Sequence, residues 1–523
     1  MRTLGAIPSL RSSRSPFIAL LWLVVVILAA YKSAQAILSS DITSLAAALL
    51  IVVVTAVFVA VMNEWRRGFY LLVAWILFED LFRKFLGNNM AIYFAKDVLA
   101  LILYLAFYKT RVAKQVEKFS IPFRLPLIVF FWFCILQAFN PASSSIFYGV
   151  LGLKVNFLYV PLFYVAYVFA ESEEDLRRFF SFCCFLVIIV AGLGLAQSII
   201  GPTFLNPQTL QDDIRELSTL YRAAPISGLI AYRPTSVFVS AGRFQDFLIV
   251  AWVISLGFGG YLLLRTRRGR TLVSITIGLV AAASLMSASR GVFMWNLGIT
   301  LVVIAGFLWG APWRQREAIR VLRTIQRTSL LIGVGVIALV TIFPEALGSR
   351  IAIYSETLLP NSPVSELVKR TQTYPVMQFK YAFDYARWPY GYGLGTCTLG
   401  AQYVARIMHA TPMNIGVESG FGNLVVELGI VGLVLWIVLA ASIVLSTSKI
   451  VIELRGTPWF PLAFAICLYA ILLFFPMMFV GASAYQDFLL NSFVWLLLGF
   501  LYRLRQYPKA FQMAQAQAAS GAV

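Results

Sequence analysis

The sequence predicts an all-α polytopic membrane protein, with about fourteen transmembrane helices and a large extracytoplasmic loop that holds short helices. Three observations predict it. Of the 523 residues, 60% are hydrophobic and only 12% charged, against about 25% charged in soluble globular proteins. Apolar runs reach about 20 residues, the length a helix needs to cross a bilayer. The short alternating segments of a membrane barrel are not seen. Short basic segments recur at alternate turns of the chain.

Residues 1–16 read as a basic cytoplasmic tail carrying Arg2, Arg11 and Arg14. An apolar run from Phe17 to Ala30 follows, and Ala34-Gln35-Ala36 then resembles a signal-peptidase site. The length of that run, with a second span close behind, favours an uncleaved first helix. The membrane domain extends over 17–503. Its basic turns are Arg66-Arg67, Lys109 to Lys118, Arg177-Arg178, Arg265 to Arg270, Arg314 to Arg327, Lys449 with Arg455, and Arg503 to Lys509. Assigning all of them to the cytoplasm is self-consistent, puts both termini inside and leaves the other loops outside. Residues 504–523 are a cytoplasmic tail, expected to be disordered.

The same bias accounts for the net charge of +19. No basic soluble module is present, so nucleic acid is not an expected partner. Of five cysteines, only Cys397 falls in a long loop, which excludes an intraloop disulfide; no Cys/His spacing suggests zinc. Two outer loops are long, 201–243 and 343–419. The second is far longer than a connector requires. Trp388, its tyrosines and Gly391-Tyr-Gly-Leu-Gly395 argue for order, with short helices expected over Val364 to Tyr385 and Leu399 to Met408.

The residues suited to chemistry lie mostly in these loops. Arg233 stands in Tyr-Arg-Pro-Thr-Ser-Val-Phe, Arg243 follows before a span, Arg290 stands in Ser-Ala-Ser-Arg-Gly, and Arg370 lies in the larger loop. An arginine at a membrane edge is often an anchor or an ion-pair partner. Several from different loops can also clamp phosphate, because the guanidinium fork fits its oxygens and stays charged. Glu418 sits where the larger loop meets a span, as a helix-terminal acid or a general base. Glu427 lies nine residues on, inside the span. His409 is the only histidine, too solitary for a zinc site. The glycines at 391–395 do not follow a strand; a tight turn with close backbone packing fits them better than a nucleotide loop. Glu79, Asp80, Arg83 and Lys84 offer two i,i+4 pairs and, with Lys96 and Asp97, read as structural ion pairing.

Taken in order, these pieces resemble the O-antigen ligase and polymerase family of polytopic membrane glycosyltransferases. Arg233 in Arg-Pro-Thr-Ser-Val-Phe resembles the family's first essential arginine, Ser289-Arg290-Gly291 its Ser-Arg-Gly signature, and Arg370 its second essential arginine. Glu418-Ser419, nine residues, then Gly429-x-x-Gly432 resembles the ligase pattern of histidine, a small polar residue, nine residues and Gly-x-x-Gly. The resemblance covers about residues 146–502 and departs at one point: Glu418 occupies the histidine position, and His409 is offset by nine residues. The replacement favours a polymerase over a lipopolysaccharide ligase.

The resemblance implies a GT-C-like membrane fold in the bacterial cytoplasmic (inner) membrane, with its active loops outside. It implies undecaprenyl-diphosphate-linked oligosaccharides as donor and acceptor, no cofactor and no metal. Arg233, Arg370, Arg290 and Arg243 would bind the diphosphate; Glu418, or His409, would be the base. A flippase and a chain-length regulator are the partners such a system implies. A ligase or protein O-glycosyltransferase of the same family is an alternative. A flippase or transporter of lipid-linked sugars would instead need charged or discontinuous helices at mid-membrane.

Overall fold

The computed structural model describes residues 42–86, 90–114, 121–206, 220–266, 268–311, 341, 344–358, 368–387, 389–398, 400–402, 405, 417–481 and 484–507. The N-terminal tail and first span, the basic turn Arg314 to Arg327, Trp388, His409, most of the helix expected at Leu399 to Met408, and the C-terminal tail from residue 508 lie outside the described residues; residues 504–507, expected to be disordered, are ordered, with Arg505 paired to Glu453.

The chain divides into two compact units, residues 1–75 with 91–118, and residues 76–90 with 119–523. The first contains α1 (Ile42–Asn63), the start of α2 (Trp65–Phe85) and most of α3 (Met90–Lys114). Trp65 meets Phe107 edge-on at 5.2 Å, and a methyl group on Gly68 would lie 2.5 Å from Val61. Lys96 donates to the Tyr93 carbonyl at 2.5 Å and lies 3.4 Å from the centre of the Tyr93 ring. Its charge is thus met locally.

The second unit is a helical bundle. Its elements are α4 (Arg124–Ala138), α5 (Ile146–Phe157), α6 (Leu162–Phe169), α7 (Glu173–Ile200), strands β1 (Tyr221–Ala223) and β2 (Ile230–Tyr232), α8 (Ala241–Arg265), α9 (Arg270–Met286) and α10 (Arg290–Gly310). They continue with α11 (Pro344–Leu358), α12 (Tyr374–Tyr385), α13 (Gly420–Glu453), α14 (Phe460–Phe474), α15 (Pro476–Val480) and α16 (Phe488–Leu504). Among the described residues six stretches are long and apolar enough to cross a membrane: Ile146–Phe169, Glu173–Ile200, Ala241–Arg265, Arg290–Gly310, Gly420–Glu453 and Phe460–Val480. The outward face of α10 carries Leu297, Leu301, Ile304 and Leu308, a surface suited to lipid rather than water. Inside, rings and small residues interlock. Phe179 and Phe180 pack against Phe500, Phe258 stacks on Phe180, and Gly499 admits the Phe163 backbone at a distance no side chain would allow.

Basic turns gather at one end of this bundle. Arg265 pairs with Glu173 at 2.9 Å, Arg505 with Glu453 at 2.6 Å, and Arg503 donates to the Ala170 carbonyl at 2.8 Å. Arg455 lies 4.5 Å over Trp309. The opposite end carries the long loops. There the structure adds two elements to the expected helices: a β-hairpin, with Tyr221 opposite Tyr232, and the helix α11.

Three apolar runs that read as continuous are broken. α5 and α6 are separated at Leu158–Pro161, α14 and α15 at Phe475 (φ −121°, ψ −79°), and α13 is interrupted at Gly429 (φ 68°, ψ −171°). The last break receives the glycine turn of the large loop. Tyr392 N donates to the Val426 carbonyl and Gly393 N to the Glu427 carbonyl, both at 2.9 Å, and Leu394 N donates to Gln137 at 3.2 Å. Gly391, Gly393 and Gly395 all have positive φ, and a methyl on Gly395 would lie 1.9 Å from the Tyr148 carbonyl. The glycines are there because backbone packs on backbone.

A methyl on Gly429 would lie 1.8 Å from the Pro389 carbonyl in a conformation open essentially to glycine. Gly429→Ala is expected to destabilise the protein by about 2–4 kcal/mol. Gly278→Ala, with nothing within 4 Å of the added carbon, should not. Thermal unfolding of the two variants in detergent checks this.

Candidate active site

The Arg233 segment is fixed by polar groups buried in the bundle. Gln197 of α7 accepts from Thr235 N at 2.8 Å and Ser236 N at 2.7 Å, and its amide donates to Phe204 O. Lys84 donates to Thr235 Oγ1 at 2.8 Å and to the Ser236 carbonyl at 2.7 Å. Ser236 itself is held at φ 52°, a strained position that its hydroxyl secures by donating to the Val190 carbonyl. Pro-Thr-Ser-Val-Phe is therefore the foundation of the segment, and Arg233 stands at its edge, half-buried. Burial pushes the Arg233 pKa down, yet arginine remains a cation at neutral pH.

Arg290 is the first residue of α10, just after the cap Ser289, whose hydroxyl accepts from Val292 N at 3.5 Å. Its charge thus adds to the positive end of a 21-residue helix. The preceding turn is tight, with Ala288 at φ 51°.

Helix α11 joins these two segments. Arg350, almost wholly buried, donates through Nε to the Met286 carbonyl at 2.8 Å and through Nη2 to the Tyr232 carbonyl at 3.1 Å. Tyr354 donates to the Leu285 carbonyl at 2.9 Å, and its ring stacks on Phe293 at 4.9 Å. Ile353 packs with Ala224 and Ala231 of the hairpin and Ala288 of the turn. Burial lifts the Tyr354 phenol to about 12, so it stays a hydroxyl donor. Glu356 accepts from Ile226 N at 2.7 Å and Ser227 N at 3.1 Å. The Ser227 side chain first, then these amides and the Arg290 charge, hold its carboxyl below the usual value of 4.5. Arg222 of β1 lies close enough for its charge to act on Tyr354. The backbone segments that lead into Arg233 and Arg290, from two separate loops, are thus tied to one helix.

Arg243 has a different environment. It grips Asp80 with one nitrogen, at 2.9 and 2.7 Å to the two carboxylate oxygens, and lies 3.7 Å from Asp487 and 4.8 Å from the Phe488 ring centre. A guanidinium so neutralised is a poor anion clamp, and Arg243 acts as a tie between helices. The Glu79–Lys84 group is likewise bonded more widely than i,i+4 pairing implies: Arg83 meets Asp80 at i,i+3, and Lys84 reaches Thr235 and Ser236.

Glu418 belongs to a second neighbourhood, exposed at the start of α13. It accepts from Tyr374 Oη at 2.6 Å, and its amide donates to Gln378 at 3.0 Å, both on α12. Ser419 caps α13. The Arg370 backbone lies in the π-helical turn Lys369–Thr373, which leads directly into Tyr374. Glu427 is deeper and buried, accepting from Cys397 N at 2.8 Å. Burial, with the Glu427 charge, lifts the Cys397 thiol to about 12, so it is unreactive.

No protein-family model matches the chain, and no curated protein sequence matches it. The geometry must carry the reading.

Arg350, Glu356, Tyr374 and Gln378 were not singled out by motif. The only signal for the first two is the recurrence of Arg350, Ile353, Tyr354 and Thr357 at three- and four-residue spacing, a helix face inside a loop.

Two outcomes are expected. Glu356→Gln should speed amide exchange at Ile226 and Ser227, and the native contact should fade as pH falls through a value below 4.5, being fully present above it. Asp80→Asn, which leaves Arg243 and Arg83 short of a charge, should cost about 3–5 kcal/mol in thermal or denaturant unfolding.

Proposed function

We propose that this chain is a metal-independent, inverting glycosyltransferase, a polymerase that joins undecaprenyl-diphosphate-linked repeat units at the outer face of the bacterial cytoplasmic membrane. The observation that carries the reading is that one helix, α11, bonds both the residue before Arg233 and the turn that leads into Arg290, at the loop-bearing end of the bundle. Fixed cations aimed at a leaving diphosphate stabilise the charge that develops as the glycosidic bond breaks. The topology of about fourteen spans with both termini cytoplasmic belongs to this proposal, and its orientation is supported by the basic turns gathered at the other end.

In this mechanism Arg233 and Arg290, with Arg370, hold the donor diphosphate. Glu418 takes the proton from an acceptor hydroxyl, with Tyr374 orienting the carboxylate. The hydroxyl oxygen attacks the anomeric carbon from the face opposite the diphosphate. The new glycosidic bond forms, the configuration inverts, and undecaprenyl diphosphate departs. A ligase would use the same groups with a different acceptor.

A transport reading gains from one observation, the broken helix beside buried Glu427. It loses from another. The carbonyls freed at that break accept from Tyr392 and Gly393 amides, so protein backbone fills the break.

Cells lacking the protein should accumulate single repeat units on undecaprenyl diphosphate, separable by size. Long chains retained on the lipid would indicate a ligase, and units trapped inside would indicate transport. Arg233→Ala, Arg290→Ala and Glu418→Gln, at unchanged protein level, should each lower polymer about a hundredfold. Full activity of either arginine variant would sink the diphosphate assignment.

A further inference from the structure

We infer that Arg350 is a positioning residue that builds the anion site without touching the anion, an inference that rests on the glycosyltransferase reading above. Its guanidinium spans the Tyr232 carbonyl, one residue before Arg233, and the Met286 carbonyl, at the end of α9 and four residues before Arg290. Those two carbonyls belong to segments more than fifty residues apart in the chain. A planar fork with several fixed donors, spread over more than one nitrogen, suits two acceptors on separate segments.

The surroundings of Arg350 support this role over direct anion contact. It is 2% exposed, whereas Arg233 and Arg290 are each half-buried. Two of its donors already point at backbone carbonyls. Tyr354 on the next turn of α11 adds a second tie to α9, its one hydroxyl hydrogen shared between the Leu285 carbonyl at 2.9 Å and the Ser284 carbonyl at 3.2 Å. Glu356 holds the hairpin tip through Ile226 and Ser227. One helix therefore sets the register between a hairpin and a turn, with Arg350 and Tyr354 on one face and Glu356 on another, and each of those segments leads into a candidate diphosphate ligand. The spacing of Arg233 and Arg290 is then a property of α11.

The test uses the full chain in nanodiscs, with undecaprenyl diphosphate as probe. Arg350→Lys keeps the charge but loses the fork, gathering its donors on a single nitrogen. It should weaken binding about tenfold, as expected of coupled neighbours, while the thermal midpoint stays close to that of the wild type. In the double variant with Arg233→Ala, the further loss should fall well short of tenfold, because only Arg290 is left to position. Amide exchange should rise together at 231–233 and 287–291.

Wild-type binding by Arg350→Lys, or a full further tenfold loss on top of Arg233→Ala, would overturn the positioning role. It would leave the diphosphate reading intact if Arg233→Ala alone loses affinity. No binding by the wild type would overturn both. Should Arg350→Lys fail to fold, Tyr354→Phe removes the neighbouring tie, and the same pattern of weakened, non-additive binding is expected.

Discussion

A backbone that leaves its helix inside an apolar bundle must have its amides and carbonyls met by other protein groups, and the loop-bearing end of this molecule is organised around that constraint. At three places the chain departs from helix among buried residues, and at each a specific group meets it. Gln197 and Lys84 bond the Thr235–Ser236 turn. Arg350 and Tyr354 take the carbonyls at the end of α9. The glycine turn and the break at Gly429 meet each other. In lipid an unmet group costs several kcal/mol. The polar side chains doing this are consequently buried, and the irregular segments are as fixed as the helices beside them.

This separates the arginines by what they face. Arg265, Arg505 and Arg243 face carboxylates, and Arg503 and Arg350 face backbone carbonyls. Each makes the bundle more determinate. Arg233 follows the bracketed hairpin, and Arg290 follows the bracketed turn as the first residue of α10, where its charge also acts on the Glu356 carboxylate. Position in the chain does not distinguish the groups, since Arg233 and Arg243 are only ten residues apart.

The sequence carried the helices because long apolar runs report burial in lipid directly. The same signal hid the breaks: a single Gly429 or a Phe475–Pro476 step leaves hydropathy unchanged. The close-packed glycine turn was legible, since glycines at alternate positions beside aromatics have few other uses. The hairpin at 221–232 was not, being three residues per strand with no strong alternation. Arg243 was legible as a cation but not as half of an ion pair, because Asp80 lies 163 residues earlier. Arg350 was invisible for a related reason. A side chain that bonds backbone carbonyls leaves no complementary residue type to find.

The bracket on α11 also has a consequence for how the molecule is made. A polytopic chain enters the bilayer from its N-terminus as it is synthesised, so the hairpin and α9–α10 are in place before residue 350 exists. Arg350 reaches back 118 residues to Tyr232 and 64 to Met286. Until it arrives, the two arginine-bearing segments have no common register, although every helix between them has been inserted. The register between those segments is therefore fixed late in biogenesis, after the helices around it have been made.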